Sequence, residues 1–396
     1  MANLPRKSLR NYLPACVKQS LKRSYDSLWN FRQSGRVDVY RRDLDAIVGN
    51  EGQDREIIIF TPSVQWDIVL FQRPQQLATA LSRLGALVFY VDPPLSQRPV
   101  GFQRLADRLY VCRVPPATFH RLRSPVVITQ AWTNWNLQSL NSAHIVYDYL
   151  DELSVFPFNQ TVLRRRHKAL VRSAHRVLAT AQDLYREVEK ERPDSLYCPN
   201  GVDYDHFASG GTRNRTPPKS TVRRDFLDGK PIIGYYGAIA RWFDHVLLRN
   251  VARRRRDLRF LLIGVEWDRT LSKSLLLREP NVTYLGPVSY RELPDYLSLF
   301  HVAMIPFVLN ALTHATSPLK LFEYMAGGKP VVVTPMRECV QYPGVLAAAT
   351  EEEFSMAIDR ALELADDRTY LALIDRVARE NTWEARARQI LGSPAA

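Results

Sequence analysis

Cysteine and histidine are scarce in this sequence, and neither residue occurs in a metal-binding pattern. The eight histidines show no H-E-x-x-H or comparable ligand spacing. The four cysteines lie far apart and form no C-x-x-C pair; they are Cys16, Cys112, Cys198 and Cys339. Such spacing argues against a zinc site and a disulfide framework, and it is typical of a reducing compartment. We therefore expect no metal site and no cofactor.

Long apolar segments are also absent. The longest candidate, residues 300–312, is shorter than the roughly 18 residues that a membrane-spanning helix needs, and it contains His301. The N-terminus is basic but has no apolar core segment, which argues against a secretory signal. We expect a cytoplasmic protein that does not span a membrane, either free or peripheral at the inner face of the cell membrane.

Positive charge is in excess. The formal net charge is +13 and the sequence pI is about 9.6, which indicates an anionic partner: a phosphorylated substrate, an acidic lipid surface or a nucleic acid. The arginine runs are not interleaved with aromatic residues as a base-stacking surface requires, so we do not expect a nucleic-acid partner. A chain of 396 residues can bury two substantial cores, which predicts two domains.

Residues 1–53 read as a basic N-terminal extension. Its apolar residues Leu9, Leu13, Val17 and Leu21 fall near one helical face, although Pro14 interrupts the pattern. A basic amphipathic segment of this kind can lie on anionic lipid. A partly ordered extension with solvated charges is the alternative, and the sequence leaves both open.

The first predicted domain, residues 54–207, opens with a βαβ unit. The pattern predicts a strand at 57–60, a helix from 73 to 84 and a strand at 87–91, which requires a parallel sheet. Ligands of such sheets bind beyond the carboxyl ends of the strands. Trp66, Gln72 and Arg73 lie in or just past the first such loop and are candidates for the acceptor side of a cleft. Simple packing of Trp66 under the loop is the alternative.

Carboxylates follow a later strand of the same domain. The strand predicted at 144–147 ends in a segment that contains Asp148 and Asp151. A carboxylate at this edge of a sheet can act as a general base toward a hydroxyl group. It can equally cap the segment that follows.

A polar stretch rich in glycine, proline, serine and threonine, residues 208–230, predicts a linker to a second domain at 231–375. The second domain begins with a strand that runs into Gly237. A glycine in this turn lets the backbone approach a diphosphate closely. Arg241 stands just beyond it.

Residues 317–334 are the most informative segment. Ser317 can cap a helix, and Pro318 suits the first helical turn. The helix should end near Ala326, followed by two glycines that provide a helix stop and then by a buried strand.

Lys320 and Glu323 share one face near the start of this predicted helix. A helix N-terminus with a lysine attracts phosphate, and a carboxylate one turn later can hold a ribose diol. The alternative is an ordinary surface ion pair.

Residues 318–332 resemble the nucleotide-sugar motif of GT-B glycosyltransferases, close to glycosyltransferase family 4. The resemblance covers roughly residues 55–385, and Pro199–Asp203 is similar to the segment that closes the first domain in that family. It implies two α/β, Rossmann-like domains that face each other across a cleft. It also implies that the C-terminal helix, within residues 376–396, returns to the first domain.

The resemblance also implies roles for residues. In the family, the glutamate aligned with Glu323 holds the donor's ribose. The implied donor site comprises Gly237, Arg241, Ser317, Pro318, Leu319, Lys320 and Glu323. An acid of the loop after the strand predicted at 144–147 serves the acceptor side, with Asp151 the first choice and Asp148 the second. The implied substrates are a UDP-sugar or GDP-sugar donor and a lipid-linked or polysaccharide acceptor, in a metal-independent transfer.

One position departs from the family pattern. Most members carry a second glutamate eight residues before the one aligned with Glu323, and Ala315 stands there in this chain. The donor sugar, and retention or inversion at its anomeric carbon, therefore stay open. So do two other functions on the same fold: a catalytically inactive scaffold in a glycan-assembly complex, and a sugar-nucleotide epimerase.

Overall fold

The computed structural model describes residues 28–208 and 228–392, except Phe31, Gln53, Asn134, Asn141, Ser142 and Pro157. The first half of the predicted basic extension and most of the predicted linker therefore lie outside the described residues. The chain divides into two compact units. The first comprises the described residues to Ile68, Arg73–Thr180 and Leu184–Cys198, and the second comprises Val69–Gln72, Ala181–Asp183 and the chain from Pro199 onward.

The first unit is built on an eight-stranded sheet in the order β3-β4-β2-β1-β5-β6-β7-β8. All neighbouring strands are parallel except β3 and β4, which are antiparallel. The strands are β1 (Ile57–Phe60), β2 (Leu87–Val91), β3 (Gly101–Ala106), β4 (Leu109–Arg113), β5 (Val126–Thr129), β6 (His144–Tyr149), β7 (Arg176–Ala179) and β8 (Leu196–Tyr197). The predicted βαβ unit is confirmed, with strands at the predicted bounds.

The α-helices that accompany this sheet include α1 (Val37–Glu51), α2 (Arg73–Arg83), α3 (Gln160–Ser173) and α4 (Gln182–Glu189). Helix α1 lies inside the predicted N-terminal extension. Its Tyr40 and Leu44 are buried in the core of the sheet beside Phe89, so residues 37–51 pack as part of the first unit. Sequence reasoning missed this helix because its apolar residues are few, and only the surface that they contact shows that they are buried.

The second unit is built on a six-stranded parallel sheet in the order β11-β10-β9-β12-β13-β14. Its strands are β9 (Ile232–Tyr236), β10 (Arg259–Ile263), β11 (Val282–Tyr284), β12 (Val302–Ile305), β13 (Val331–Val333) and β14 (Val345–Ala347). These apolar strands are largely buried, as expected for a parallel sheet covered by helices. The strand order reverses at β9, and ligands of open α/β sheets bind at such a point.

The helices of the second unit connect and cover these strands. They are α5 (Tyr204–Ala208), α6 (His245–Arg254), α7 (Thr270–Lys273), α8 (Leu293–Ser298), α9 (Ala311–His314), α10 (Leu319–Ala326), α11 (Arg337–Val340), α12 (Glu351–Leu364), α13 (Arg368–Glu380) and α14 (Trp383–Leu391). Helix α14 is the predicted C-terminal helix, and Thr382 caps its N-terminus. Across the described residues, every helix is too short or too polar to cross a bilayer.

Candidate active site

Helix α10 presents the predicted donor residues after strand β12. The predicted C-terminal end is confirmed, because the helix ends at Ala326 and Gly328 has a left-handed φ of 67°. The predicted cap is wrong by one residue: Pro318 occupies the N-cap position, and its ring cannot donate or accept a capping bond. The Ser317 hydroxyl is unavailable for capping because it accepts a hydrogen bond from the Asn200 backbone amide at 3.2 Å.

Asn200 holds the chain just before helix α10. Its side-chain amide donates to the Ser317 carbonyl at 2.6 Å, and both residues are buried. The Asn200 carbonyl in turn accepts from the buried guanidinium of Arg386 on α14 at 3.4 Å. The sequence shows Asn200 only as part of a turn, because the contact joins residues 117 positions apart. We therefore count Asn200 as a support of the site that sequence reasoning missed.

Lys320 lies on the first turn of α10 over two aromatic rings. Its Nζ is 5.1 Å from the centroid of Phe307 and 5.4 Å from that of Tyr235, within the range of a cation–π contact. Burial lowers the pKa of Lys320 to about 8, although the charge of Glu323 acts to raise it. Within the described chain, the ammonium forms no ion pair, so its charge can serve an anionic ligand.

Glu323 lies one turn further along and is 4% exposed. Burial raises the pKa of its carboxyl to about 7, while the Tyr236 hydroxyl and Lys320 act in the opposite direction. The alternative of a surface ion pair is therefore wrong for Lys320 and Glu323. A buried carboxyl group with a strongly raised pKa is unfavourable for stability and is characteristic of functional sites.

Gly237 lies directly against Lys320 at the end of β9. Its φ is +133°, and a Cβ atom there would stand 2.7 Å from the Lys320 Cε. A Cβ at Gly264, after β10, would stand 1.9 Å from the Gly237 carbonyl oxygen. Only glycine fits at these two positions, so the backbone loops after β9 and β10 pack closely at the point where the strand order reverses. The structure thus brings together Gly237, Lys320 and Glu323, three of the predicted donor residues.

Arg241 and Ala315 make few contacts that bear on the donor site. The Arg241 backbone amide donates to Asp268 at 2.9 Å, while its exposed side chain forms no hydrogen bond or ion pair with other described residues. Ala315 is 4% exposed and ends helix α9. No carboxylate therefore occupies the position at which the resemblance would place a second glutamate.

In the first unit, Arg73 and Asp148 bind each other. Both are almost fully buried, and the Arg73 Nε lies 3.0 and 3.1 Å from the two Asp148 carboxylate oxygens. Arg73 also donates to the Cys198 sulfur at 3.4 Å. Asp148 lies inside strand β6, not after it as the sequence predicted. The pair therefore supports the fold, and Asp151 is the better candidate for a base.

Asp151 lies two residues beyond β6 and is half-buried. Burial alone raises the pKa of its carboxyl to about 7. Its carboxylate accepts no hydrogen bond from the described residues. A base of this pKa is half-ionised at neutral pH and can take a proton from a hydroxyl group.

Trp66 contacts other residues of the first unit. The Trp66 ring packs edge-on against Tyr90, with centroids 5.0 Å apart, and its backbone amide donates to Asp92 at 2.8 Å. These contacts favour the alternative that Trp66 packs under the loop. Gln72 is half-buried.

Among the described residues, no three histidine, cysteine, aspartate or glutamate side chains are grouped so that they could hold a metal ion. Part of the second unit is similar to a known family. Residues 230–364 match the family described as Glycosyl transferases group 1. This stretch contains strands β9 to β14 and the whole of helix α10.

One sequence relative is TuaH of Bacillus subtilis (strain 168), named as a teichuronic acid biosynthesis glycosyltransferase. It is 29% identical over 246 residues, which are 59% of this chain and 60% of TuaH. The match thus spans less than two thirds of that relative's length.

Two solved structures show the fold. Sucrose-phosphate synthase from Thermosynechococcus elongatus matches with a TM-score of 0.62 at 16% identity, over 85% of this chain and 98% of that one. Anabaena Alr3699/HepE, solved with UDP and glucose, matches with a TM-score of 0.57 at 16% identity over the same shares of the two chains. These likenesses show that the chain has the GT-B fold, and its residues 230–364 are similar to the group 1 glycosyltransferases.

Proposed function

We propose that this protein transfers a sugar from a nucleoside-diphosphate sugar to a hydroxyl group of a lipid-linked or polysaccharide acceptor. The observation that carries the proposal is the arrangement of Gly237, Lys320 and Glu323. Gly237 provides a backbone that a ligand can approach closely, on the loop after β9. The first turns of α10 provide the Lys320 ammonium, which has no ion-pair partner in the described chain, and the buried Glu323 carboxyl.

Each of these groups has a task in sugar transfer. The leaving diphosphate carries negative charge, which the Lys320 ammonium and the N-terminus of α10 would neutralise. Arg241 lies four residues after Gly237 and is exposed, and it would contribute a second positive charge. Glu323 would accept hydrogen bonds from the ribose hydroxyls and so orient the nucleotide.

UDP is the nucleotide that we favour, since HepE was solved with UDP and glucose and with UDP-glucose. The acceptor side is the first unit, where Asp151 would take the proton of the attacking hydroxyl. The name of TuaH and the net charge of +13 support an acidic or lipid-linked glycan as the acceptor. Such an acceptor would place the enzyme at the inner face of the cell membrane.

Isothermal titration calorimetry with UDP, GDP and their sugars tests the donor site. We expect saturable binding by the wild type and a loss of at least about tenfold in affinity in Lys320→Ala and in Glu323→Ala. Lys273→Ala and Glu380→Ala are the matched controls, since both side chains are exposed in the same unit. Absence of binding to every nucleotide by a folded wild-type protein would contradict the proposal.

A nucleotide-binding scaffold without turnover is the second candidate. Ala315 favours it, because the chain has no carboxylate at a position where most relatives contact the donor sugar. Release of UDP or GDP from the bound donor, measured with and without an acceptor extract, separates the two. Binding without any release would favour the scaffold.

A further inference from the structure

A pair of stacked aromatic side chains lies in the first unit, and one of them follows the same strand as Asp151. The rings of Trp132 and Phe156 are nearly parallel, with centroids 4.1 Å apart and an interplanar angle of 29°. Both residues are half-buried, so each ring keeps a part of its surface in solvent. Trp132 follows strand β5, and Phe156 follows the neighbouring strand β6. Both therefore lie at the carboxyl edge of the sheet, where ligands of parallel sheets bind.

The two loops that carry these rings are held by side chains of helix α3. The Gln160 side-chain amide donates to the carbonyls of Leu153, Phe156 and Phe158, at 3.2, 3.0 and 3.3 Å. Arg166 donates to the Thr133 carbonyl at 3.3 Å, next to Trp132. These bonds tie both loops to one helix, so the aromatic pair is formed before any ligand arrives.

Two polar groups of the same loops have no partner within the described chain. The half-buried Trp132 indole N–H donates no hydrogen bond to a described residue, and the half-buried Asp151 carboxylate accepts none. A hydrogen-bond donor and an acceptor next to a flat apolar surface match the chemistry of a sugar ring. Such a ring has an apolar face of C–H groups and an edge of hydroxyl groups, and sites for small ligands combine apolar walls with a few polar groups.

We propose that Trp132 and Phe156 form the platform on which a sugar ring of the acceptor rests, with one of its hydroxyl groups directed to Asp151. This proposal rests on the proposed function and names the part of the first unit that would bind the acceptor. An acyl or prenyl chain is the competing occupant of an aromatic surface. The unpartnered indole N–H and carboxylate favour the sugar, since a hydrocarbon chain would leave both groups unsatisfied.

Saturation-transfer-difference NMR on the full chain tests the platform. The probes are the methyl β-glycosides of glucose, galactose and N-acetylglucosamine, together with octyl β-D-glucoside below its micelle concentration. We expect saturation of ring protons in at least one methyl glycoside with the wild type. Trp132→Ala should weaken that transfer at least about fivefold, whereas Trp132→Phe should keep most of it because an aromatic face remains. Trp267→Ala, at an exposed tryptophan of the second unit, is the matched control and should leave it unchanged.

Three results would overturn the platform. The first is that no glycoside is saturated by the wild type. The second is that the wild type and Trp132→Ala saturate the glycoside equally. The third is that the octyl chain is saturated and the sugar ring is not. UDP and GDP binding is measured by calorimetry on the same samples. Nucleotide binding by the wild type with no sugar binding would remove the platform and leave the proposed function standing. No nucleotide binding would remove the proposed function itself.

Discussion

Replacing Glu323 with glutamine should stabilise the folded protein at alkaline pH and weaken donor binding at the same time. Burial raises the pKa of the Glu323 carboxyl from 4.5 to about 7. A carboxyl group whose pKa is raised by folding lowers the free energy of unfolding at every pH at which the same group is ionised in the unfolded chain. This cost is absent below pH 4.5, grows between pH 4.5 and 7, and is fully present above pH 7.

The size of the effect follows from the shift. One pKa unit corresponds to about 1.4 kcal/mol, so a shift of this size lowers the free energy of unfolding by about 3 kcal/mol at pH 8.5 and by less than about 1 kcal/mol at pH 5. Glutamine has nearly the same shape as a protonated glutamate and does not ionise. The stability difference between Glu323→Gln and wild type should therefore grow by about 2.5 kcal/mol from pH 5 to pH 8.5.

Urea unfolding at the two pH values measures this difference. Titratable groups that do not interact with Glu323 contribute equally in both proteins, so their contributions cancel in the comparison; Lys320, whose pKa the Glu323 charge raises, is the exception. Glu380→Gln is the control, because Glu380 is exposed and its replacement should show no such pH dependence. A Glu323→Gln variant that tracks the wild type within about 0.5 kcal/mol at both pH values would show that Glu323 ionises normally. The argument for a functional, buried carboxyl would then fail.

Three further predictions concern the same two units. Nucleotide-sugar affinity should peak between pH 7 and 8 in calorimetry, because Glu323 loses its charge below about 7 and Lys320 loses its charge above about 8. Gly237→Ala should lower that affinity at least about tenfold, since its Cβ would stand 2.7 Å from Lys320; unchanged affinity would contradict the geometry. Asp148→Asn should destabilise the protein by about 3 kcal/mol in urea, because the Arg73 charge stays buried without its partner.

Local patterns were enough to predict most of the framework. Strand β1, strand β2 and the end of helix α10 occur where apolar runs and glycine stops predicted them. These features depend on interactions between residues close in sequence, which the sequence displays directly. The resemblance to GT-B glycosyltransferases also followed from one local motif around Lys320 and Glu323.

Contacts between distant residues could not be predicted in this way. Arg73 and Asp148 are 75 positions apart, so nothing in the sequence showed that each one neutralises the other inside the first unit. The partner of Asn200 at Ser317 and the stacking of Trp132 on Phe156 were hidden for the same reason.

The sequence by itself predicted two α/β units, several of their strands and helices, and a motif that resembles the nucleotide-sugar motif of GT-B glycosyltransferases. Only the tertiary structure decided which of the candidate side chains are paired and which are buried without a partner. Burial sets the pKa of Asp151 and Glu323 to about 7, and burial is a property of everything packed around a group. The chemistry of the two candidate groups therefore depends on packing that no short stretch of sequence contains.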